Sequence, residues 1–122
     1  MGSRNYSERS LIEGAKTSNA KSFNRVFFVH QKYLFNLLYQ LCGDIALSDD
    51  LTQETMIQAY KKIRHFRCES SFRIWLSRIA INLFCKEAKK RPKSEHLPFD
   101  GIQILDKGDH FERIVMRGQL QR

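Results

Sequence analysis

The stretch from about Ala20 to Leu41 most constrains how this chain can fold. Its apolar residues recur at helical spacing and cover most of the circumference of a helix. They form three stripes: Phe23, Phe27, Leu34, Leu38 and Leu41; Val26, Val29, Tyr33 and Leu37; and Phe28, Phe35 and Tyr39. Asn19 is a suitable N-cap, and Gly43 with Asp44 closes the helix. A chain of 122 residues has too little other sequence to cover such a helix fully. We therefore expect part of it to contact another protein.

Three other stretches show helical periodicity, and no stretch shows the alternation that indicates a strand. Ser7 is the expected cap of a first short helix, whose inward residues are Leu11, Ile12 and Ala15. A third helix is expected to start near Ser48 or Asp49, and its inward residues are Met56, Ala59, Tyr60, Ile63 and Phe66. The sequence predicts an all-α fold, a small bundle of three to four helices with a flexible C-terminal tail.

The fourth helix is expected to begin at Ser70 or Ser71 and to run to about Lys90, because Pro92 cannot continue it. One of its faces is apolar, and another is polar and basic. The apolar stripe consists of Phe72, Trp75, Leu76, Ile79 and Leu83, and the polar face consists of Arg78, Asn82, Lys86 and Lys89. Trp75 is therefore expected to pack into the core.

The distribution of helical periodicity divides the chain into two parts. Residues 1–91 are predicted to form one helical domain. Residues 92–122 contain Pro, Gly, Ser and Asp without periodicity, followed by a weak terminal helix on Phe111, Ile114, Val115 and Leu120. This second segment is expected to be a linker and a tail, or the start of a missing second domain.

Charge is distributed unevenly along the chain. Residues 61–91 hold ten lysines and arginines against two glutamates, so this quarter of the chain carries the whole formal net charge of +8. A basic cluster of this kind is typical of a polyanion partner, although a solvated helix face has the same composition. Between Asp44 and Tyr60 there are four acidic residues and no lysine or arginine. Two oppositely charged faces indicate two different partners.

Several classes of protein are disfavoured by the sequence. The three cysteines are widely spaced, and no histidine lies near a metal-ligand partner, so neither zinc nor a disulfide framework is expected. We expect no cofactor, and no enzyme activity, because no nucleophile–base pair, phosphate loop or metal cluster can be assembled. No apolar run reaches the length of a membrane span, and no signal peptide is evident. A cytoplasmic location without membrane insertion is therefore expected.

Three stretches in order carry a resemblance to a known family. They are residues 49–55 (DDLTQET) followed by Ala59 and Tyr60, residues 66–72 (FRCESSF), and residues 75–82 (WLSRIAIN). Together they resemble region 2 of bacterial RNA polymerase sigma factors, specifically the extracytoplasmic-function group. The resemblance covers about residues 7–91. It implies a domain that docks on core RNA polymerase, recognises the promoter −10 element and helps to melt it for transcription initiation.

The resemblance also implies roles for single residues. The docking residues for core polymerase would be Asp50, Gln53, Glu54 and Ile57. The loop that encloses a non-template base of the −10 element would consist of Arg67, Cys68, Glu69, Ser70 and Ser71. Asn82 would lie at the mouth of that pocket and read a base edge, because an amide offers both a donor and an acceptor. Arg78, Lys86 and Lys89 would bind phosphates, which fixes the register of the strand.

The sequence departs from the family pattern at two places. Cys68 stands where the family commonly has glycine, and a cysteine there would be strained if the site needs a positive φ. A reactive thiol beside Arg67 is the less favoured interpretation of that cysteine. The second departure concerns the helix-turn-helix domain with which the family reads the −35 element. Because 122 residues leave no room for it, we expect either an excised domain or a protein that works without it.

Two other functions remain open at this point. A protein-interaction module would bind polymerase or an anti-sigma factor without reading DNA sequence, and the apolar surface of the second helix favours it. A third hypothesis is a helical domain that binds nucleic acid without sequence preference. The acidic residues between Asp44 and Tyr60 argue against it. An anti-sigma factor is thus a candidate partner in addition to core polymerase and promoter DNA.

Overall fold

The computed structural model describes residues 7–90, which form four α-helices and one short 3-10 turn. Helix α1 spans Glu8–Lys16, α2 spans Ala20–Cys42, α3 spans Ile45–Lys62 and α4 spans Phe72–Lys90; the 3-10 turn, Ile63–His65, follows α3 directly. Within residues 7–90 no strand is present. The predicted all-α bundle is confirmed. The predicted linker and terminal helix of residues 92–122, and Pro92 as a stop signal, lie outside the described residues.

Helices α1 and α2 begin where the sequence predicts. The Ser7 hydroxyl accepts a hydrogen bond from the backbone N–H of Ser10 at 3.1 Å and caps α1. The Asn19 side chain accepts from Lys21 and Ser22 at the start of α2. Gly14 permits the close approach of the two helices, since a Cβ atom there would lie 2.5 Å from Oγ of Ser22.

Helix α2 forms the centre of the bundle. It ends at Gly43, whose φ of 69° is the left-handed conformation of a helix C-cap. The residues of α2 that are buried are Phe23, Val26, Phe27, His30, Leu34, Leu37, Leu38, Leu41 and Cys42. The other three helices pack around this side of α2 and share one continuous core with it.

The start of α3 differs from the prediction of Ser48 or Asp49. The helix begins at Ile45, because Asp44 acts as its N-cap and accepts from the backbone N–H of Leu47 at 3.1 Å. Ser48 is instead fully buried inside the helix, where its hydroxyl donates to the Asp44 carbonyl at 2.7 Å. The chain therefore turns from α2 into α3 over Gly43 and Asp44 alone.

The inward face of α3 is only partly as predicted. Ala59, Ile63 and Phe66 are buried and Met56 is half-buried, whereas Tyr60 is 41% exposed and touches Phe23 by a ring edge. The core side of α3 also includes Thr52 and Thr55, each of which donates its hydroxyl to a carbonyl of the preceding turn at 2.7 Å. Because these hydroxyls are satisfied within the helix, polar residues occupy buried positions that a hydrophobic pattern does not reveal.

The buried face of α4 is wider than the predicted stripe and rotated from it. Phe72 and Leu76 are fully buried, but Trp75, Ile79 and Leu83 are only half-buried. The remaining buried residues of α4 are Ser77, Ala80, Ile81, Phe84 and Cys85. Helix α4 packs against both α2 and α3. A helix held between two neighbours buries a wider arc than a single stripe, and small residues such as Ser77 and Ala80 suit the close contact.

Candidate functional site

The loop between the 3-10 turn and α4 is held at both ends by aromatic contacts. Phe66 and Phe72 flank residues 67–71, both are buried, and their ring centroids lie 5.6 Å apart at 71°. Trp75 packs against both rings, at 5.0 Å from Phe66 and 5.5 Å from Phe72. Trp75 packs against the core as expected, although its side chain is only half-buried. The 67–71 loop thus begins and ends at three aromatic residues in mutual contact, Phe66, Phe72 and Trp75, which we call the aromatic base of the loop.

The 67–71 loop presents all five of its side chains to solvent. Arg67, Cys68, Glu69, Ser70 and Ser71 are exposed. Ser71 is the residue that caps α4: its hydroxyl accepts from the N–H of Ile74 at 3.1 Å and its carbonyl accepts from the N–H of Trp75. The Ser70 hydroxyl donates to the Ser71 carbonyl at 3.2 Å. The loop therefore leads directly into the positive end of a helix dipole.

Cys68 adopts the left-handed backbone conformation, with a φ of 60°. The positive φ is the condition under which the sequence predicts strain at Cys68, and the structure meets that condition. A side chain with a Cβ atom is strained there by roughly 1–2 kcal/mol relative to glycine. Local strain of this kind is retained where the surrounding structure holds the backbone in place, as the aromatic base of the 67–71 loop does.

A polar and positively charged face of α4 continues from the loop. It consists of Arg78, Asn82, Lys86 and Lys89, all of which are exposed; we call these four residues the basic face. At 1.5 Å per residue the basic face is about 16 Å long. Lys61, Lys62 and Arg64 are exposed as well, just before the loop. These three residues belong to the basic stretch 61–91, and the family resemblance assigns them no role.

The acidic face lies on α3 and comprises Asp50, Gln53, Glu54 and Ile57. Asp50, Gln53 and Ile57 are exposed, and Glu54 is half-buried. Neighbouring side chains restrain this face: Nε2 of Gln53 donates to Asp49 at 3.0 Å, and Nε2 of Gln58 donates to Glu54 at 2.8 Å. Ile57 is 44% exposed, an apolar side chain among polar ones. Sequence reasoning missed the supporting residue Gln58, although its spacing of four from Glu54 was a usable signal.

Part of α2 is left uncovered by the other described helices. Phe28 is 74% exposed and Val29 is 60% exposed. Further along, the rings of Phe35 and Tyr39 stack with their planes 2° apart. The expected incomplete coverage of α2 is confirmed for residues 7–90, and the expected contact with another protein stays a prediction. Large exposed aromatic side chains of this kind are frequent in protein interfaces.

A buried histidine links three helices next to the loop. Nε2 of His30 lies 3.3 Å from Oε1 of Glu8, and Nε of Arg73 donates to Nδ1 of His30 at 3.2 Å. The Arg73 guanidinium lies 4.2 Å from the centre of the Tyr33 ring. We call these four residues the His30 relay. Burial is the main cause that lowers the pKa of His30 from 6.5; nearby Arg73 lowers it further, whereas Glu8 raises it.

The described residues offer no metal site, since no group of three or more His, Cys, Asp or Glu side chains converges among them. Cys42 and Cys85 are buried, and burial raises the pKa of the Cys85 thiol to about 11, so it stays protonated at neutral pH. Cys68 is exposed. Within residues 7–90, no helix combines the length and the apolar character needed to cross a membrane.

Comparisons with known proteins match this geometry. The model of the family "Sigma-70 region 2" matches residues 28–93, more than half of the chain. The chain is 31% identical to an ECF RNA polymerase sigma-E factor of Haemophilus influenzae over 88% of its own length and 58% of that protein. It is 25% identical to the RNA polymerase sigma-H factor of Pseudomonas aeruginosa, covering 93% of this chain and 64% of that one.

A third relative is the ECF RNA polymerase sigma factor SigW of Bacillus subtilis, 28% identical over 73% of this chain and 48% of the relative. The chain thus spans about half to two thirds of the length of these relatives. No solved structure matches it significantly. The four-helix core, the loop closed by aromatic residues and the extent of the family match lead to one assignment: the chain belongs to the sigma-70 region 2 family, in the extracytoplasmic-function (ECF) group of sigma factors.

Proposed function

We propose that this chain docks on core RNA polymerase and recognises and helps to melt the promoter −10 element for transcription initiation. The observation that carries the proposal is the 67–71 loop, which the contact between Phe66 and Phe72 closes at its base and which leads directly into the basic face of α4. A preformed loop beside a positively charged helix face suits a single strand with one base turned out of the stack.

The 67–71 loop is proposed to enclose that base. Turning a base out of a duplex costs a few kcal/mol of lost stacking. A cradle that is ordered before DNA arrives adds no further entropy cost at that step. The strained Cys68 backbone and the capping bonds of Ser71 support an ordered loop.

Asn82 is proposed to read the sequence, and the cations of the basic face are proposed to hold the strand. Asn82 is exposed one helical turn beyond Arg78, and its amide offers one acceptor and two donor hydrogens to a base edge. Arg78, Lys86 and Lys89 carry the charge that phosphates need, and such contacts add affinity without distinguishing bases.

The acidic face of α3 is proposed to dock on core polymerase. The Gln53 amide is restrained by a hydrogen bond to Asp49 and the Glu54 carboxylate by one from Gln58. Ile57 adds an exposed apolar anchor. A restrained polar rim around one apolar side chain loses little side-chain entropy on binding. The names of the relatives refer to RNA polymerase, which agrees with this partner.

Selection of strands from a random single-stranded DNA pool tests the reading of sequence. We expect the full 122-residue chain to enrich a short consensus, and Asn82→Ala to lose that consensus while retaining affinity for the pool. Enrichment of no consensus by the unaltered chain would contradict sequence recognition. It would favour a module that binds polymerase or an anti-sigma factor only, for which the exposure of Phe28 and Val29 is the supporting observation.

A further inference from the structure

The His30 relay defines the protonation of a buried ring. Nε of arginine always carries a hydrogen, so Nδ1 of His30 is the acceptor in the bond from Arg73. The hydrogen of the neutral ring is therefore on Nε2 and points to the Glu8 carboxylate, 3.3 Å away. The His30 side chain is 6% exposed, whereas the Glu8 side chain is 42% exposed. One neutral tautomer thus satisfies both partners.

The relay acts on the first turn of α4, where the 67–71 loop ends. Arg73 is the second residue of α4, and Phe72 before it contacts the His30 ring at 5.6 Å and the Phe66 ring at the same distance. The Arg73 guanidinium also lies over the Tyr33 ring. The first turn of α4 is therefore fixed by α2 through a hydrogen bond, a cation–π contact and an aromatic contact, and through His30 by α1.

We propose that His30 and Arg73 are positioning residues for base recognition: the bond between them fixes the first turn of α4, and with it the 67–71 loop, in the conformation that encloses a base. This inference rests on the function proposed above. Arg73 itself is half-buried in the relay and need not touch DNA.

Protonation of His30 breaks this arrangement. The imidazolium has no lone pair to accept from Arg73, and it places a second positive charge beside the guanidinium. The charged groups that face the ring are Glu8 from α1 and Arg73 from α4; Tyr33 of α2 contacts the Arg73 guanidinium. Because the pKa of His30 is lowered from 6.5, the relay is complete above pH 6.5 and is lost as the pH falls through the lower pKa of the folded protein. We expect base recognition to weaken over the same range.

Fluorescence anisotropy with the full chain tests the positioning role. The probes are the strand selected from the random pool and a scrambled strand of equal composition. Arg73→Met is expected to reduce the preference for the selected strand at least five-fold, with an unchanged dependence of affinity on salt. A salt slope that falls by about one unit with the preference retained would identify Arg73 as a phosphate ligand and overturn the inference. Arg64→Met, at an exposed position before the loop, is the matched control for loss of one positive charge.

The pH dependence of the preference for the selected strand distinguishes protonation of His30 from a general effect of acid on folding. His30→Asn keeps an acceptor for Arg73 that does not titrate, so we expect it to retain the preference and to lose its decline in acid. His65→Asn, at an exposed histidine of the 3-10 turn, is expected to leave the profile unchanged. An acid decline that persists in His30→Asn would refute the role of His30.

NMR gives a second readout that needs no change in the relay. In the His65→Asn background, the amide resonances of residues 67–71 are expected to titrate together with the His30 ring nitrogens. Loop resonances that stay constant while His30 titrates would overturn the inference even if the Arg73 variants fail to fold. Equal binding of both strands by the unaltered chain at pH 7.5 would instead contradict the proposed function itself. A preference that survives Arg73→Met would contradict only the positioning role.

Discussion

The acidic face of α3 and the 67–71 loop with the basic face are two candidate surfaces built in different ways. The acidic face lies on one helix, and its restraints are hydrogen bonds between residues four apart, such as Asp49 with Gln53. The loop is held by residues distant in sequence, with His30 of α2 against Phe72 and Arg73 of α4. A surface on a single helix needs only local sequence, whereas the loop depends on the packing of three helices. Changes in the core are therefore expected to damage the loop far more than the acidic face.

The largest effect is expected from Phe72→Ala, which removes the ring between Phe66, Trp75 and His30. Truncation of a buried phenylalanine costs about 3–5 kcal/mol in the free energy of unfolding. Urea denaturation followed by circular dichroism measures this loss. Phe28→Ala is the matched control, because Phe28 is 74% exposed and its loss is expected to cost at most about 0.5 kcal/mol. Similar losses for the two variants would contradict the aromatic base of the loop.

The double variant Gln53→Ala with Glu54→Ala tests the acidic face. We expect the affinity for core RNA polymerase to fall about ten-fold or more, roughly 1.4 kcal/mol or above, because polar contacts in the docking face are removed. Binding to single-stranded DNA is expected to stay unchanged, since α3 presents this face through local contacts only. Surface plasmon resonance with immobilised polymerase measures the affinity for polymerase, and fluorescence anisotropy measures the binding of single-stranded DNA. Unchanged affinity for polymerase would show that docking uses another surface.

Two variants of the basic face separate recognition of the base sequence from binding of the phosphates. Asn82→Ala is expected to lower the preference for the selected strand over the scrambled one by roughly 1–3 kcal/mol. Lys86→Ala is expected to weaken both strands alike and to reduce the salt slope by about one unit. Anisotropy titrations at several salt concentrations give both quantities. Equal losses on the two strands for Asn82→Ala would reassign that amide to general strand binding.

The smallest effect is expected from Cys68→Gly, which we expect to increase the free energy of unfolding. Glycine adopts the φ of 60° without the clash of a Cβ atom, which favours the folded state by roughly 1–2 kcal/mol, partly offset by the greater freedom of glycine in the unfolded chain. Thermal denaturation measures the net change. Cys68→Ala keeps the strain and is the control. A gain in stability for alanine equal to that for glycine would show that the cysteine side chain, and not the backbone, is responsible.

Most of the fold could be predicted from the sequence. The caps Ser7 and Asn19, the closing Gly43 and the all-α class follow from local hydrogen-bonding chemistry and from periodicity, and the structure confirms them. The start of α3 was predicted too late. Asp44, Ser48 and Asp49 are all good caps, and a local pattern does not choose among them. The choice depends on the short turn from α2, which permits Asp44 to cap.

The residues of the candidate surfaces could be predicted from the sequence, but the contacts that hold them in place could not. Each of the nine residues assigned to DNA binding is exposed, and their roles stay predictions. The relay escaped the sequence analysis because Glu8, His30 and Arg73 are far apart in the chain. The one available signal was that His30 lies four residues before Leu34, on the buried side of α2.

The sequence by itself determined the helical class, most of the helix ends, the segregation of charge and the family resemblance, because each depends on residues within a few turns of one another. Tertiary structure alone decided which arc of α4 is buried, that Tyr60 is exposed, and that Phe66 meets Phe72 beneath a strained Cys68. These features depend on which helices pack together, and packing joins residues that no periodicity relates.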